Sequence, residues 1–280
     1  MNGTLLIGTP LINEATIRLS IFIAVFAIIV CWEFFAPRRV ARFSRRNRWP
    51  ANLGLALTNT LVVRLLTPTA TVGIAVLAAE QQWGLLNNLT LPAGMELLLG
   101  IMLLDMLIYF QHRMFHVVPF FWKFHRMHHT DLDFDTTTAL RFHPIEIALS
   151  VLIKTIVVLM LGPPVLAVLC FEILLNATAM FNHGNINLPM GIDRVLRLVL
   201  VTPDMHRVHH SVNPAETNSN YGFNLPWWDR LFNTYQAQPE AGHNDMRIGL
   251  SQFSDAKELE YLRMLVQPFQ KPESDSEDDT

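Results

Sequence analysis

Histidine is the residue type with chemical potential in this chain, and its spacing narrows what that chemistry is. Of 11 histidines, ten lie between His112 and His210, and eight of those form three clusters. These are His112-Arg-Met-Phe-His116, His125-Arg-Met-His128-His129 and His206-Arg-Val-His209-His210. On a helix, positions i, i+3 and i+4 share a face. His112 and His116 stand one turn apart, and His125 shares a face with His128 as His206 does with His209. The next histidine in each H-x-x-H-H run is rotated by about 100°, so neighbouring imidazoles diverge toward different partners. A lone H-x-x-x-H is most simply two satisfied surface or core histidines. Three clusters together read as a site for more than one metal ion, because His is the commonest metal ligand and one ion rarely takes more than about five such donors.

An all-imidazole set brings no negative charge and suits iron, zinc, copper or nickel. Hydrolytic zinc normally needs one three-ligand site with an open position. Eight or more histidines exceed that need and favour a pair of redox metals. The 2 cysteines, Cys31 and Cys170, are far apart in apolar segments, too few for an iron–sulfur cluster or a disulfide framework. No Gly-rich nucleotide fingerprint or haem-attachment motif is present. His243 stands in a polar segment and reads as an ordinary surface histidine.

The elements that must position these clusters are apolar. Hydrophobic residues make up 51% of the 280 and charged residues 16%, against about 25% charged in soluble domains. Mean hydropathy is +0.27. About 20 apolar residues cross a bilayer, and five stretches are candidates: 15–35, 55–79, 93–111, 145–161 and 165–181, the last two parted by Gly162-Pro163-Pro164. Residues 192–201, carrying Arg194 and Arg197, are too short to cross and are expected in the interface. The expected fold is all-α: a multi-pass membrane helical bundle of four to five spans, with a cytoplasmic helical cap carrying a dinuclear histidine metal site.

Arginine placement orients the spans. The loop 37–50 holds Arg38, Arg39, Arg42, Arg45, Arg46 and Arg48, whereas neither the segment before Ala15 nor the loop 80–92 has Lys or Arg. The arginine loop should face the cytoplasm, and counting spans forward brings all ten clustered histidines to that same side. A long first apolar run followed by a basic stop reads as a retained span rather than a cleaved leader. The arginine run is a topology signal first and an anionic-lipid contact second; nothing about it suggests nucleic acid. Arg64, Lys154 and Glu172 inside spans are expected to pair between helices or snorkel. Trp122, Trp227 and Trp228 are placed as headgroup anchors, with a substrate gate as the other reading.

With these motifs in hand, the chain resembles the fatty acid hydroxylase/sterol desaturase superfamily of membrane di-iron oxygenases, marked by H-x-x-x-H, H-x-x-H-H and a distant second H-x-x-H-H. The resemblance runs over about 93–235 and includes Arg141-Phe-His143-Pro-Ile-Glu146, Phe181-Asn-His183-Gly-Asn185, Asn218 to Gly222, and Trp228-Asp229-Arg-Leu-Phe232-Asn-Thr234. Asn233 stands where the family usually has Gly, and Ala179 where some hydroxylases have a further histidine. The resemblance implies three segments: N-terminal membrane helices with the arginine loop in 1–92, a catalytic domain in 93–240, and a cytoplasmic tail in 241–280. The acidic end of that tail, from Lys271, is expected to be disordered.

The resemblance also implies ligands. One metal goes to His112, His125, His128, His206 and His209, and the other to His116, His129, His183 and His210. Asp105 and Tyr109 fall near the His112 stripe. An acid inside an apolar span is costly and usually functional, so Asp105 either orients a ligand histidine or is a packed Asp bonded to a neighbouring helix. Glu146, Asn182, Asp204, Asn218 and Asp229 are candidates for the layer behind the ligands. His143 belongs with them or caps a helix that starts at Pro144.

The activity implied is O2-dependent oxidation of an apolar lipid C–H bond by two iron ions, with zinc able to occupy the site in purified protein. Hydroxylation is favoured; desaturation would use the same ligands. Electrons must come from a ferredoxin or cytochrome with its reductase. The localisation expected is a bacterial inner membrane, with the endoplasmic reticulum as the alternative. From other classes, a metal transporter would spread its histidines across membrane depth, and a zinc lipid hydrolase would need neither oxygen nor reductant.

Overall fold

The computed structural model describes residues 10–67 and 69–270; the acidic end from Lys271 lies outside them. Among the described residues the chain is helical, with isolated bridges but no strand. Its long helices are α1 (Pro10–Phe35), α2 (Arg45–Leu66), α3 (Ala70–Glu80), α4 (Ala93–Val117), α6 (Pro144–Leu161) and α7 (Val165–Asn182). Shorter ones are α5 (Pro119–His129), α8 (Met190–Leu196) and α9 (Pro203–His209). Five stretches are long and apolar enough to cross a membrane: Glu14–Phe35, Arg45–Glu80, Ala93–Val117, Pro144–Leu161 and Val165–Asn182. Their outer faces carry large apolar side chains in the open, such as Leu65 at 82% and Met160 at 68% exposure. Such a continuous surface suits lipid rather than water.

Two of the five differ from the hydropathy reading. The second is not one helix over 55–79. It starts at Arg45 and breaks between α2 and α3, where Pro68 denies the residue before it an α conformation; Thr67 sits at φ −135°, ψ 79°. The third does not stop at Gln111 but continues to Val117, because the polar residues after 111 turn inward. His112 and His116 therefore ride on the helix that crosses.

The core lies between α3, α4, α6 and α7, where Val72, Ala75, Leu104, Ile108, Val158, Val168 and Phe171 are buried together. The second stretch runs alongside α6: Asn59 of α2 donates to the Phe142 carbonyl at 2.9 Å, at the start of α6, while Leu85 beyond α3 donates to Met160 near its end. Residues 45–58 thus project past the apolar bundle, and α2 packs there on Met127 and on Met264 of a C-terminal helix, Tyr261–Val266. Proline and glycine set the helix ends. Pro119 stops α4 and opens α5, Pro144 opens α6, and Gly162 closes it in the left-handed conformation at φ 58°. Glu172 of α7 pairs with Lys154 and with Arg18, each at 2.7 Å, so the intramembrane charges are interhelical partners; Arg64 is exposed. In α8, Met190, Ile192 and Val195 are exposed, which suits an interfacial helix. Arg197 after it turns inward instead, paired with Asp193 at 2.6 Å.

Candidate metal centre

Four segments deliver nine histidines to one end of the bundle. Helix α4 presents His112 and His116, and α5 presents His125, His128 and His129. His183 caps the C-terminus of α7, and α9 with its C-cap presents His206, His209 and His210. Pro119 separates the first two clusters, so α5 folds back beside α4 instead of extending it. Thr202 caps α9, its hydroxyl accepting from the Met205 N–H. All nine side chains are buried, His116 least so at 8% exposure.

Their ring nitrogens fall into two groups, each with members within 4.8 Å of one another: His112, His116, His125, His129 and His209, and then His128, His183, His206 and His210. This partition differs from the one drawn from the family resemblance. His116 and His129 join the five, and His128 and His206 join the four. The reason is geometric. Pairs one full turn apart (112/116, 125/129, 206/210) stay together, while the intervening His128 and His209 swing across to the other group. The i,i+4 pair, not i,i+3, is the unit that stays in one group here.

The hydrogen-bond pattern behind the rings tests whether a cation fits. His112 Nδ1–H donates to the Tyr221 carbonyl at 2.8 Å, His209 Nδ1–H to Ser219 at 2.7 Å, and His183 Nδ1–H to Ala179 at 2.8 Å. His128 Nδ1–H points at the Arg141 carbonyl at 3.3 Å, and His125 Nδ1–H donates to Glu146 Oε1 at 2.7 Å. Carbonyls and carboxylates only accept, so each of these rings carries its proton on Nδ1 and a bare lone pair on Nε2. Yet those Nε2 atoms face each other. His112 is 3.0 Å from His209 and 3.1 Å from His125, and His128 is 3.1 Å from His183. Lone pair against lone pair is repulsive, and a shared cation reverses the sign. Two nitrogens about 2.1 Å from one ion and at right angles lie roughly 3.0 Å apart; tetrahedral ligands lie roughly 3.4 Å apart. The spacing and the count of five fit a coordination number above four. In addition, both ring nitrogens of His116 and of His210 are buried with no partner among protein atoms. The residues fit a pair of transition-metal ions.

Electrostatics agree. Burial, reinforced by neighbouring imidazoles, holds His128, His129, His206, His209 and His210 well below the ordinary histidine range. Burial alone brings His125 to about 3, and His183 lies at about 4. The cluster is neutral near pH 7, the form that ligates metal.

The candidates for the outer layer divide. Glu146 touches a ligand directly. Asp229 acts one layer further back: its carboxylate accepts from the Tyr221 and Gly222 N–H groups at 2.8 Å and from Thr234 at 2.7 Å. That fixes the Tyr221 carbonyl on which His112 rests. A Cβ on Gly222 would stand 2.8 Å from Asp229 Oδ2, which is why glycine occupies this turn. Asp105 orients no histidine; it accepts from Asn224 and from the Trp228 indole, each at 2.8 Å, and anchors the closing segment to α4. Tyr109 bonds Thr234 at 2.9 Å, and Asn182 donates to the Phe223 carbonyl at 3.0 Å. Asp204 pairs with Arg38 and Arg207, and Asn218 is exposed. His143 is the helix cap, accepting from the Ile145 N–H at 3.1 Å.

Three sequence expectations are corrected. Trp228 is buried on Asp105, not anchored in headgroups, because its indole N–H finds an acceptor inside. Trp122 packs over His116 and His129 with centroids 4.9 and 5.5 Å away; Trp227 alone of the three is exposed. His243 is not a surface residue: it is 7% exposed and lies 3.7 Å from Asp204, drawn in by that carboxylate. A buried ionic network was also missed. Arg48, 1% exposed, bonds Asp131 through two nitrogens at 2.8 and 2.7 Å and Asp135 at 2.6 Å. Arg141 reaches Thr130, Asn52 and the Met127 carbonyl. Burial would raise the Asp131 carboxyl, but Arg48 and Arg141 outweigh it and bring it to about 2. The signal was three aspartates within six residues of His129, Asp131, Asp133 and Asp135; Arg48 was hidden among five other loop arginines.

Comparisons place this arrangement. Residues 97–234 match the family described as Fatty acid hydroxylase. An ornithine lipid hydroxylase from Rhizobium tropici is 29% identical over 180 residues, covering 64% of this chain and 52% of that protein. Alkylglycerol monooxygenases are also similar: the Homo sapiens protein is 35% identical over 137 residues, 47% of this chain and 28% of its own length. The Caenorhabditis elegans protein is 32% identical over 139 residues, 48% and 26%. The chain thus spans about half the length of the first relative and about a quarter of the others. No solved structure matches the chain. The segment that matches the fatty acid hydroxylase family, residues 97–234, contains every histidine of the centre.

Proposed function

We propose that the protein is a multi-pass membrane oxygenase that uses two iron ions, dioxygen and external electrons to hydroxylate an unactivated C–H bond of an apolar lipid. The observation that carries this reading is the convergence of nine buried, neutral imidazoles, as groups of five and four, at one end of an apolar bundle. Iron held there would supply dioxygen activation, chemistry no side chain can provide. The overall balance is O2, one C–H bond, two electrons and two protons giving one C–OH and one water. The relatives named above are a hydroxylase and monooxygenases of lipids, which supports hydroxylation over desaturation.

The protein's own contribution is orientation and exclusion of water. Backbone carbonyls and Glu146 fix the ring tautomers. Phe142 stacks on His128 with centroids 4.5 Å apart, and Phe223 lies 5.0 Å from His112. Trp122 and Tyr221 cover His116. These aromatic walls leave little room for solvent around the histidines. Gathering all ligands at one end argues against a transport path, which needs sites through membrane depth. The arginine loop at the same end supports a cytoplasmic location of the centre; the membrane proposed is a bacterial cell membrane.

The test compares lipid extracts from cells with and without the active protein under 18O2. One labelled oxygen per product lipid is expected, absent with His128→Ala or His209→Ala. An unchanged lipid profile in cells holding folded, iron-loaded protein would sink the reading.

A further inference from the structure

A second feature lies against the centre on the side away from the apolar spans. Phe134 is 5% exposed, and its ring packs against three of the four histidines of the smaller group. It stacks on His183 at 5.5 Å between centroids, and lies 5.1 Å from His210 and 6.4 Å from His206. The same residue lines a surface recess of about 170 Å³, large enough for one acidic side chain. One aromatic ring therefore separates the recess from the ligands. The recess is walled by segments outside the five spans, with Arg39, Arg42 and Arg247 against Asp133 and Asp245. Asp133 is already engaged by the Arg42 and Phe43 N–H groups at 3.1 and 2.6 Å. A neighbouring recess adds Arg38, whose Nε is paired with Asp204 at 3.2 Å, to the rim. Between them Val40 stands 97% exposed, an apolar contact point ringed by cations.

We propose that this basic recess is the docking surface for an acidic one-electron carrier protein, and that Phe134 is the contact through which the electron reaches the four-histidine group. The proposal takes its need for electrons from the oxygenase reading. The carrier would give up one electron, and His128, His183, His206 and His210 would hold the ion that takes it up. No bond forms or breaks, and two transfers supply one hydroxylation. A positive rim around an apolar point is the complement of an acidic protein surface and steers its approach. A lipid headgroup would account for the arginines but not for a recess floored by a ring that touches the ligands.

The test uses the whole iron-loaded protein in neutral-lipid nanodiscs, titrated with an acidic [2Fe–2S] ferredoxin at low and at physiological salt. The double variant Arg42→Glu/Arg247→Glu should raise Kd about tenfold or more at low salt and flatten its salt dependence. Reduction of its centre by dithionite should be unchanged. Phe134→Leu should leave Kd and iron content as they are and slow ferredoxin-driven reduction about tenfold, with Phe134→Tyr restoring it. An unaltered Kd in the double variant, no binding to the unmodified protein, or an arginine effect seen only with anionic lipid would overturn the proposal. Binding and reduction are read without lipid turnover, so failure of the labelled-oxygen experiment is a separate result.

Discussion

At the scale of single residues, the centre depends on what stands behind each imidazole. His125 differs from His112, His128, His183 and His209 in resting on a carboxylate, Glu146, rather than a backbone carbonyl. Removing a partner of this kind typically costs ten- to a hundredfold in metal affinity. Glu146→Leu is expected to weaken iron binding by about that factor in a chelator competition, and Glu146→Gln, which still accepts, to recover most of it. Equal affinity in the Leu variant would remove the orienting role. Acid should act through the same rings. The folded values of His125 and His183, about 3 and about 4, lie below the unfolded value near 6.5. As pH falls below about 6.5 the unfolded chain takes up protons that the folded chain refuses, so stability is lost on acidification. It should be flat above about pH 7 and fall steadily toward pH 4, by on the order of 2 kcal/mol per imidazole at pH 5. A melting temperature for the metal-free protein that is level from pH 7 to 4.5 would contradict this.

At the scale of elements, short breakers decide where the long helices point. Gly84 and Gly162 meet at the far end of the bundle, both with positive φ, at 92° and 58°. A Cβ on Gly84 would stand 2.2 Å from the Gly162 nitrogen, and one on Gly162 would stand 2.4 Å from the Trp83 carbonyl oxygen. Gly84→Val therefore adds both strain and overlap, and should cost about 2–4 kcal/mol. The expected outcome is a lowered melting temperature with iron content retained in the folded fraction, since the turn lies at the opposite end from the histidines. An unchanged melting temperature would show that the two loops part easily. The spans were legible as apolar runs because lipid demands them. The helical stripe from Asp105 to His116 was legible too, but the end of the span itself was set at Gln111 rather than Val117, because polar side chains that turn into a cap look in sequence like the end of a span.

At the scale of the whole molecule, five passes alternate in direction, and an odd number of passes separates the N-terminal side from the metal end. The arginine loop and all nine ligands share that end. With the positive-inside rule, alkaline phosphatase fused after Asn88 should be active and a fluorescent protein fused after Gln270 should fluoresce. The opposite pattern would place the centre outside the cytoplasm. Arg48, Asp131 and Asp135 tie the projecting start of α2 to the loop after His129, so the N-terminal helices help hold the cap.

The sequence alone determined the donor type, the number of clusters and their arrival at one membrane side, because hydropathy, arginine bias and histidine spacing are local quantities that need no neighbours. Tertiary structure alone decided which imidazoles fall into one group, that His243 and Arg48 are buried, and that Asp105 holds a distant loop instead of a histidine. Each of those depends on the angle at which two helices cross or on a partner far along the chain, Asp204 for His243 and residues more than 80 positions away for Arg48 and Asp105, and no spacing along the chain encodes either.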